Sequence, residues 1–354
     1  MKKVFMSEIA PTFISELYPE ELSELLGLKP FQGRQLFQWI HRKKVFDVDE
    51  MTSLSKELRA RLKDGYSINR LEPFRSSYSE KTETRKSLMK LDDGETVETV
   101  CIPAEKRHTF CVSSQVGCAI KCTFCATGES GYARNLSAGE IVEQVLHFMS
   151  DETGVMDDDR KPNIVYMGMG EPFHNYDAVI RSIRLLMHEE GMQLGARRIT
   201  VSTAGDVKGI ERFTDEDWQV RLSVSLHAAN NTLRDELVPM NRKYNLERLM
   251  GSIHNYIEKT GRQMTFEWTL LQDLNDSIDI ADELVDLIGD MKAHVNLIPC
   301  NPVSGLGYKP PTPSVSRAFR NHLERRGVPS TLRLERGQDI DAACGQLRRR
   351  TLTT

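Results

Sequence analysis

Beyond a boundary near residue 90, short β-branched runs and amphipathic helical stretches take turns along the chain, and that alternation leaves few folds open. NIVYMGMG, RRITVSTAG, VRLSVSLHA, MTFEWTLL, AHVNLIPC and STLRLER have strand character, while segments near 137–150, 176–189, 246–259, 277–290 and 314–326 carry apolar residues at helical spacing. Strands separated by helices imply parallel βαβ units, because parallel neighbours need a crossover connection. The expected fold is α/β, a parallel barrel whose chemistry collects in the loops after the carboxyl ends of its strands. The polar and Gly-rich motifs GMGEP, STAG, SLHA and CNP stand in those places. The helix at 137 opens on a capping box, Ser137 with Glu140 three residues on, ahead of a buried face at Ile141, Val142, Val145 and Leu146.

Residues 1–90 have a different texture. PEELSELLGL, GRQLFQWIHRKK and SLSKELRARLKDG predict helices separated by Gly and Pro, and after Lys86 the pattern turns to β-like runs, KSLMKL, TVETVCI and HTFCVSS. A boundary is expected near residue 90: a helical accessory domain over 1–90, a catalytic domain over 91–347 with a β extension at 91–110, and a basic tail over 348–354. The first ninety residues carry seventeen Lys and Arg against thirteen Asp and Glu, while the whole chain has a net charge of −4. The accessory domain is therefore the phosphate-facing candidate, although a solvated helical surface would have the same charge. No apolar run approaches the ~20 residues that cross a bilayer, and the start meets Glu8 before any long hydrophobic stretch. A cytoplasmic protein without a membrane span is expected. There, seven cysteines point to metal binding or catalysis rather than to structural disulfides.

The cysteines concentrate that expectation. CVSSQVGCAIKCTFCATG places Cys118, Cys122 and Cys125 in a CxxxCxxC loop with Phe124 before the last of them. Three thiolates can ligate three irons of a [4Fe–4S] cluster and leave the fourth iron open to an exogenous ligand. A structural zinc ion normally takes four protein ligands, and a zinc-stabilised RNA-binding protein using Cys111 as the fourth is the competing, non-enzymatic reading. The spacing is the loop pattern of the radical S-adenosylmethionine (SAM) superfamily, in which SAM binds the open iron and is cleaved. At the strand ends Gly170 and Glu171 offer close backbone approach and a carboxylate, and Ser202, Ser225, His227 and Asn301 offer side-chain hydrogen bonds. Each is also unremarkable as a turn or core residue.

CVSSQVGC, KCTFCATG, YMGMGEP, VSLHAANNTLRDELVPMN, VNLIPCNP and DIDAACGQL occur in this order over essentially the whole chain. In this the sequence resembles the RlmN/Cfr family of radical SAM RNA methyltransferases. The resemblance implies a partial (βα)6 radical SAM barrel with a small N-terminal helical accessory domain. It further implies a [4Fe–4S] cluster on Cys118, Cys122 and Cys125, with SAM held by Gly170, Glu171, Ser202, Ser225, Leu226, His227 and Asn301. One SAM would methylate Cys344. A second would yield the 5′-deoxyadenosyl radical that takes hydrogen from that methyl group, so that the carbon adds to an adenine. Cys111 would then resolve the adduct through a transient disulfide with Cys344, and Glu98 would accept the ring proton. An amidine carbon has no lone pair with which to attack SAM directly, which is why a radical route is needed.

The implied substrates are an adenosine of 23S rRNA and, in some members, of tRNA. The partners are a one-electron reductant and a thiol reductant, and a monomer is expected. Pro172 in GMGEP and the NLIPCNP segment favour C2 methylation over the C8 methylation of Cfr, whereas CATGESG lies closer to the Cfr-like loop. Cys101 and Cys300 are read as packing thiols. RNA contacts are expected from Arg34, Arg42, Lys43, Lys44, Arg59, Arg61 and the tail Arg348, Arg349 and Arg350, which would position an RNA while base flipping supplies selectivity.

Overall fold

The structure, a computed structural model, describes residues 12–68, 71–104, 107–150, 161–334 and 336–348. A two-residue strand, β1 (Thr12–Phe13), pairs in parallel with β2 (Tyr66–Ser67). Between them lie α1 (Pro19–Leu26), α2 (Pro30–Phe37) and α3 (Lys56–Gly65). Proline opens α1 and α2, where its missing N–H has no intrahelical partner to lose. Leu22, Leu26, Leu36, Phe37, Leu58 and Leu62 form their buried face.

The helical character expected through residue 90 stops at Gly65. β3 (Glu72–Tyr78) and β4 (Arg85–Lys90) fall inside that span and pair antiparallel with each other, and β4 pairs antiparallel with β5 (Thr96–Ile102). The boundary expected near residue 90 thus lies between two hydrogen-bonded strands. β3 is an edge strand, exposed along nearly all its length, so no apolar alternation marked it.

β5 leads antiparallel into β6 (Thr109–Cys111), the first strand of the parallel series. A small sheet of β7 (Gln115–Gly117) and β8 (Tyr132–Asn135) follows, with the one-turn helix α4 (Ala126–Glu129) between its strands. Six βα units complete the barrel part. β6 is followed by α5 (Ala138–Met149), β9 (Asn163–Tyr166) by α6 (Tyr176–Met187), and β10 (Ile199–Thr203) by α7 (Val207–Thr214). β11 (Arg221–Ser225) is followed by α8 (Asn231–Leu237) and α9 (Leu246–Thr260), β12 (Met264–Leu270) by α10 (Ile278–Ile288), and β13 (Ala293–Pro299) by α11 (Pro313–Arg325), before β14 (Ser330–Leu332). The ten-stranded sheet runs β14-β13-β12-β11-β10-β9-β6-β5-β4-β3, parallel from β14 to β6 and antiparallel beyond. This is a partial (βα)6 barrel with an antiparallel ribbon on one flank.

The capping box at Ser137 and Glu140 forms as expected. The short α7 and α8 escaped the periodicity reading, α8 because its sequence NTLRDEL is polar although Arg234 within it is fully buried. The interior includes Trp268, Tyr166, Phe266 and Phe319, and burying each large side chain contributes roughly 2–3 kcal/mol. The helical N-terminal part is tied to the barrel by Glu143 of α5, whose carboxylate accepts from Ser15 Oγ and from the Leu71 backbone N–H.

Candidate active site

The carboxyl ends of the parallel strands open into two adjoining cavities. The first is lined by Cys118, Cys122 and Cys125 on one wall and by Gly170, Glu171, Ser202, Ser225, His227, Glu267 and Asn301 on the others. The second is lined by Cys111, Ile102, Thr331, Arg333 and Arg336. Cys344 lies on the boundary and lines both.

The cysteine loop is shaped by its own backbone. Gly117, at φ 77°, lets the chain pass so close to Gly131 that a Cβ would lie 1.7 Å from its carbonyl oxygen. The Cys118 N–H then donates to that same carbonyl at 2.9 Å, and Cys125 N–H donates to Cys122 O at 3.2 Å. Burial pushes the Cys118 thiol up to about 12 and that of Cys122 well above its ordinary value. As free thiols both would stay protonated, so a bound metal must supply the charge that makes them thiolates. The Arg234 guanidinium opposes this penalty at Cys122. It is fully buried and donates to the carbonyls of Ala204 and Leu226 and to Asn241 Oδ1, tying together the loops after β10 and β11.

Gly170 sits at φ 103°, and a Cβ there would lie 2.6 Å from Gln115 Cβ. Glu171 is buried, with Oε1 accepting from Phe173 N–H and Oε2 from Ala204 N–H, and burial raises its pKa against those two hydrogen bonds. His227 takes left-handed backbone at φ 60°. Its Nδ1 accepts from Thr269 N–H at 2.9 Å, and burial lowers its pKa to about 3, so the ring is neutral with its proton on Nε2. Ser202 Oγ and Ser225 Oγ lie 3.5 Å apart. Leu226 does not line either cavity: its N–H donates to Glu267 O and its carbonyl accepts from Ala228 and Arg234.

Cys344 rides on a segment that crosses the mouth of the barrel. Its carbonyl accepts from Asn301 Nδ2, whose own Oδ1 accepts from Gln338 Nε2. Ala126 N–H donates to Gly345 O, and Thr127 Oγ1 to Leu347 O. As a residue Cys344 is exposed at the boundary of the two cavities. The surrounding protein nevertheless desolvates it enough to raise its pKa, with the Arg333 charge opposing. Cys111, at the end of β6, is buried and pushed up to about 12, first by burial and then by its proximity to Cys344.

Glu98 is the expected residue that stands apart. It lines neither of these cavities but a third one, shared with Arg75, Lys86 and Asp341 on the far side of the Cys344 segment. Its Oε1 is 3.1 Å from Lys86 Nζ, with both side chains buried, and its Oε2 accepts from Arg348 N–H. Lys86 also donates to Asp341 O. The Lys86–Glu98 pair therefore holds the segment that carries Cys344.

Two families of sequence models match the chain: the radical SAM superfamily over residues 112–284, and the ribosomal RNA large subunit methyltransferase N-terminal domain over residues 19–68. A probable dual-specificity RNA methyltransferase RlmN from Heliobacterium modesticaldum is 44% identical over 96% of this chain and 90% of its own length. One from Staphylococcus saprophyticus is 45% identical over 98% and 95%. The chain belongs to the RlmN family of radical SAM RNA methyltransferases. The crystal structure of a radical SAM methyltransferase from Sphaerobacter thermophilus superposes with a TM-score of 0.91 at 46% identity, covering 96% of this chain and 99% of that one.

An RlmN-type enzyme works with a [4Fe–4S] cluster and SAM, and the donors present suit both. Among the described residues no three His, Cys, Asp or Glu side chains converge closely enough for one metal ion. A [4Fe–4S] cluster takes its thiolates on three separate irons and needs no such convergence. Among the described residues no helix is long and apolar enough to cross a membrane. Of the basic residues expected on RNA, Arg34, Arg42 and Lys43 are exposed, while Arg59 and Arg61 donate to the carbonyls of Asp49 and Leu26. Arg348 pairs with Asp341. Arg349 and Arg350 lie outside the described residues.

The site also contains residues that sequence reasoning missed. Glu267 and Arg333 face the cavities from β12 and from just beyond β14. The only sign of Glu267 was a carboxylate breaking the apolar run MTFEWTLL, and Lys86 likewise interrupts a buried strand.

Proposed function

We propose that this enzyme methylates C2 of an adenosine in 23S rRNA, and of one in tRNA, by way of a methyl group carried on Cys344. The observation that carries the proposal is the position of Cys344 on the boundary between the cavity of the three cluster thiols and that of Cys111. The dual-specificity RNA methyltransferase names of its relatives support two RNA substrates.

Cys118, Cys122 and Cys125 hold the cluster in this reading, and Gly170, Glu171, Ser202, Ser225, His227 and Asn301 surround SAM. When bound, the cluster and SAM supply the methyl group and the one-electron cleavage that removes a hydrogen from it. The protein's own residues do the rest. Asn301, Ala126 and Thr127 fix the Cys344 segment at the boundary of the two cavities, and the Arg333 charge offsets the burial penalty on a Cys344 thiolate. The second cavity admits the flipped base. Once the methyl carbon has joined the ring, the unpaired electron left on the base would pass to the cluster, which would supply the one-electron acceptor, and Glu98 accepts the ring proton after the Cys344 segment shifts off its carboxylate. Cys111, deprotonated, then attacks Cys344 sulfur: the S–S bond forms as the C–S bond breaks, and the bonding pair stays on the ring-bound carbon, which takes up a proton to become the methyl group. The methylated base leaves, and a thiol reductant resets the pair.

The test is anaerobic turnover with nucleoside mass spectrometry against 2-methyladenosine and 8-methyladenosine standards. Cys111→Ala is expected to trap a protein–RNA crosslink, whereas Cys344→Ala gives neither crosslink nor product. An active enzyme with unmethylated Cys344, or one that yields only 8-methyladenosine, overturns the proposal.

A further inference from the structure

One large apolar side chain is left almost wholly in water. Leu334, two residues beyond β14, is 85% exposed, whereas Tyr78, the next most exposed large hydrophobic residue among those described, is 50% exposed. A lone leucine on an open surface would need no explanation. This one lines the second cavity together with Cys111 and Cys344. Lining that cavity while remaining so exposed puts it at the mouth.

The residues around it in the chain are committed elsewhere and hold it in place. Arg333 N–H donates to Leu297 O at 2.9 Å, and the Arg333 guanidinium lies 3.8 Å from Glu267 Oε2. On the other side the Arg336 guanidinium donates to Pro103 O, and Gly337 N–H donates to Thr82 Oγ1 at 3.2 Å. One end of this short bridge is thus tied to β13 and the other to the antiparallel ribbon. What residue 334 presents outward between them is an uncharged, branched hydrocarbon.

In the proposed function the second cavity takes an adenosine turned out of its stack. Extrusion leaves a gap between the flanking bases, and the cost of unstacking falls when an apolar group fills that gap. The filling group has to be apolar, free of the protein's own packing and beside the opening through which the base passes. Ile102 and Leu332 also line the cavity, but both pack against the hydrophobic core. Leu334 meets all three conditions.

We propose that Leu334 is a wedge that enters the RNA at the place the target adenosine vacates and keeps the flanking bases apart while that base occupies the second cavity. The inference rests on the reading that this cavity admits the flipped base. Leu334 is then a positioning residue, which acts on the extruded population rather than on the bonds that form and break.

The probe is a synthetic RNA spanning the target adenosine of 23S rRNA, with 2-aminopurine in its place, added to the cluster-loaded enzyme without SAM. Among the described residues no aromatic ring lines the second cavity, so a base that enters it loses its stacking partners and brightens. Wild-type enzyme is expected to brighten the probe. Leu334→Ala should cut that rise, and slow methylation of the unmodified RNA about tenfold, as fits one lost apolar contact at an unstacked step. Leu334→Met should restore most of both. So exposed a side chain can be removed without unfolding the protein, which an unchanged melting temperature checks. An RNA lacking the base beside the target has no such gap, and on it wild type and Leu334→Ala should methylate at equal rates. A Leu334→Ala enzyme that flips and methylates like wild type, or a loss that persists on the abasic RNA, overturns the wedge. A wild-type enzyme that binds the probe without brightening it overturns instead the reading of the cavity.

Discussion

The cluster-side wall of the cavity comes from one continuous stretch between Gly117 and Gly131, folded on itself by local hydrogen bonds such as Cys118 N–H to Gly131 O, with Thr123 N–H tied to Leu237 O. The wall that carries Cys344 is held from far away in sequence: by Asn301, by Thr127, and by Lys86 and Glu98 on the antiparallel ribbon. A metal ligand set has to keep its geometry through every cycle, and short-range closure provides that. In the function proposed above, the Cys344 sulfur accepts a methyl group on one side and meets Cys111 on the other, and a segment seated by a few separable contacts would allow it to shift between them. The difference between the walls is thus one between a site that holds and a part that travels.

The largest expected effect tests the holding wall. Cys122→Ala should lose the cluster and with it methylation, on the order of a thousandfold or more, read as iron and sulfide content beside product yield. Full iron content and activity would mean that the loop is not the ligand set. The travelling wall is tested at Lys86. Lys86→Met leaves the buried Glu98 carboxylate without its ammonium partner, which costs about 3–5 kcal/mol. Hydrogen exchange over residues 336–348 should then accelerate well beyond that of β10, while Lys86→Arg keeps it slow. Equal acceleration in both segments would erase the contrast between the walls.

The smallest effect concerns pH. Burial lowers His147 to about 4 and His41 to about 3, both below the ordinary value of 6.5. The unfolded chain therefore takes up protons first on acidification. Stability is full above pH 6.5 and falls toward pH 4 for His147 and pH 3 for His41, by up to about 1.4 kcal/mol per pH unit for each. His147 Nε2 lies 3.0 Å from Ser87 Oγ on β4, the strand that carries Lys86. His227, lowered to about 3 and packed on Phe124 of the cysteine loop, adds the same dependence on the cluster side. Acid should therefore loosen both walls together, which exchange measured between pH 7 and 5 can check.

Much of this was legible in the sequence because it is local. Period-2 and period-3.6 patterns give the parallel barrel, the CxxxCxxC loop gives the thiol wall, and Ser137 with Glu140 gives the start of α5. What escaped depends on partners distant in sequence. Arg234 reads as a surface residue of a polar helix until its guanidinium is seen between the carbonyls of Ala204 and Leu226. Glu98 reads as a strand carboxylate, and only the fold sets Lys86 and the Arg348 N–H against it. β3 lacked any apolar face, which drew the expected boundary into the sheet.

The long-range seating of the Cys344 segment also sets an order of assembly. Its contacts join residues 220 to 255 positions apart, between Thr127 and Leu347, Glu98 and Arg348, and Lys86 and Asp341. Such contacts need both the ribbon and the barrel in place before they form, because closing so long a loop is rewarded only at the end. The cavity mouth is consequently the last part of the molecule to close. In the proposed function this order would leave the three thiols open to iron and sulfide until the segment carrying Cys344 docks over them.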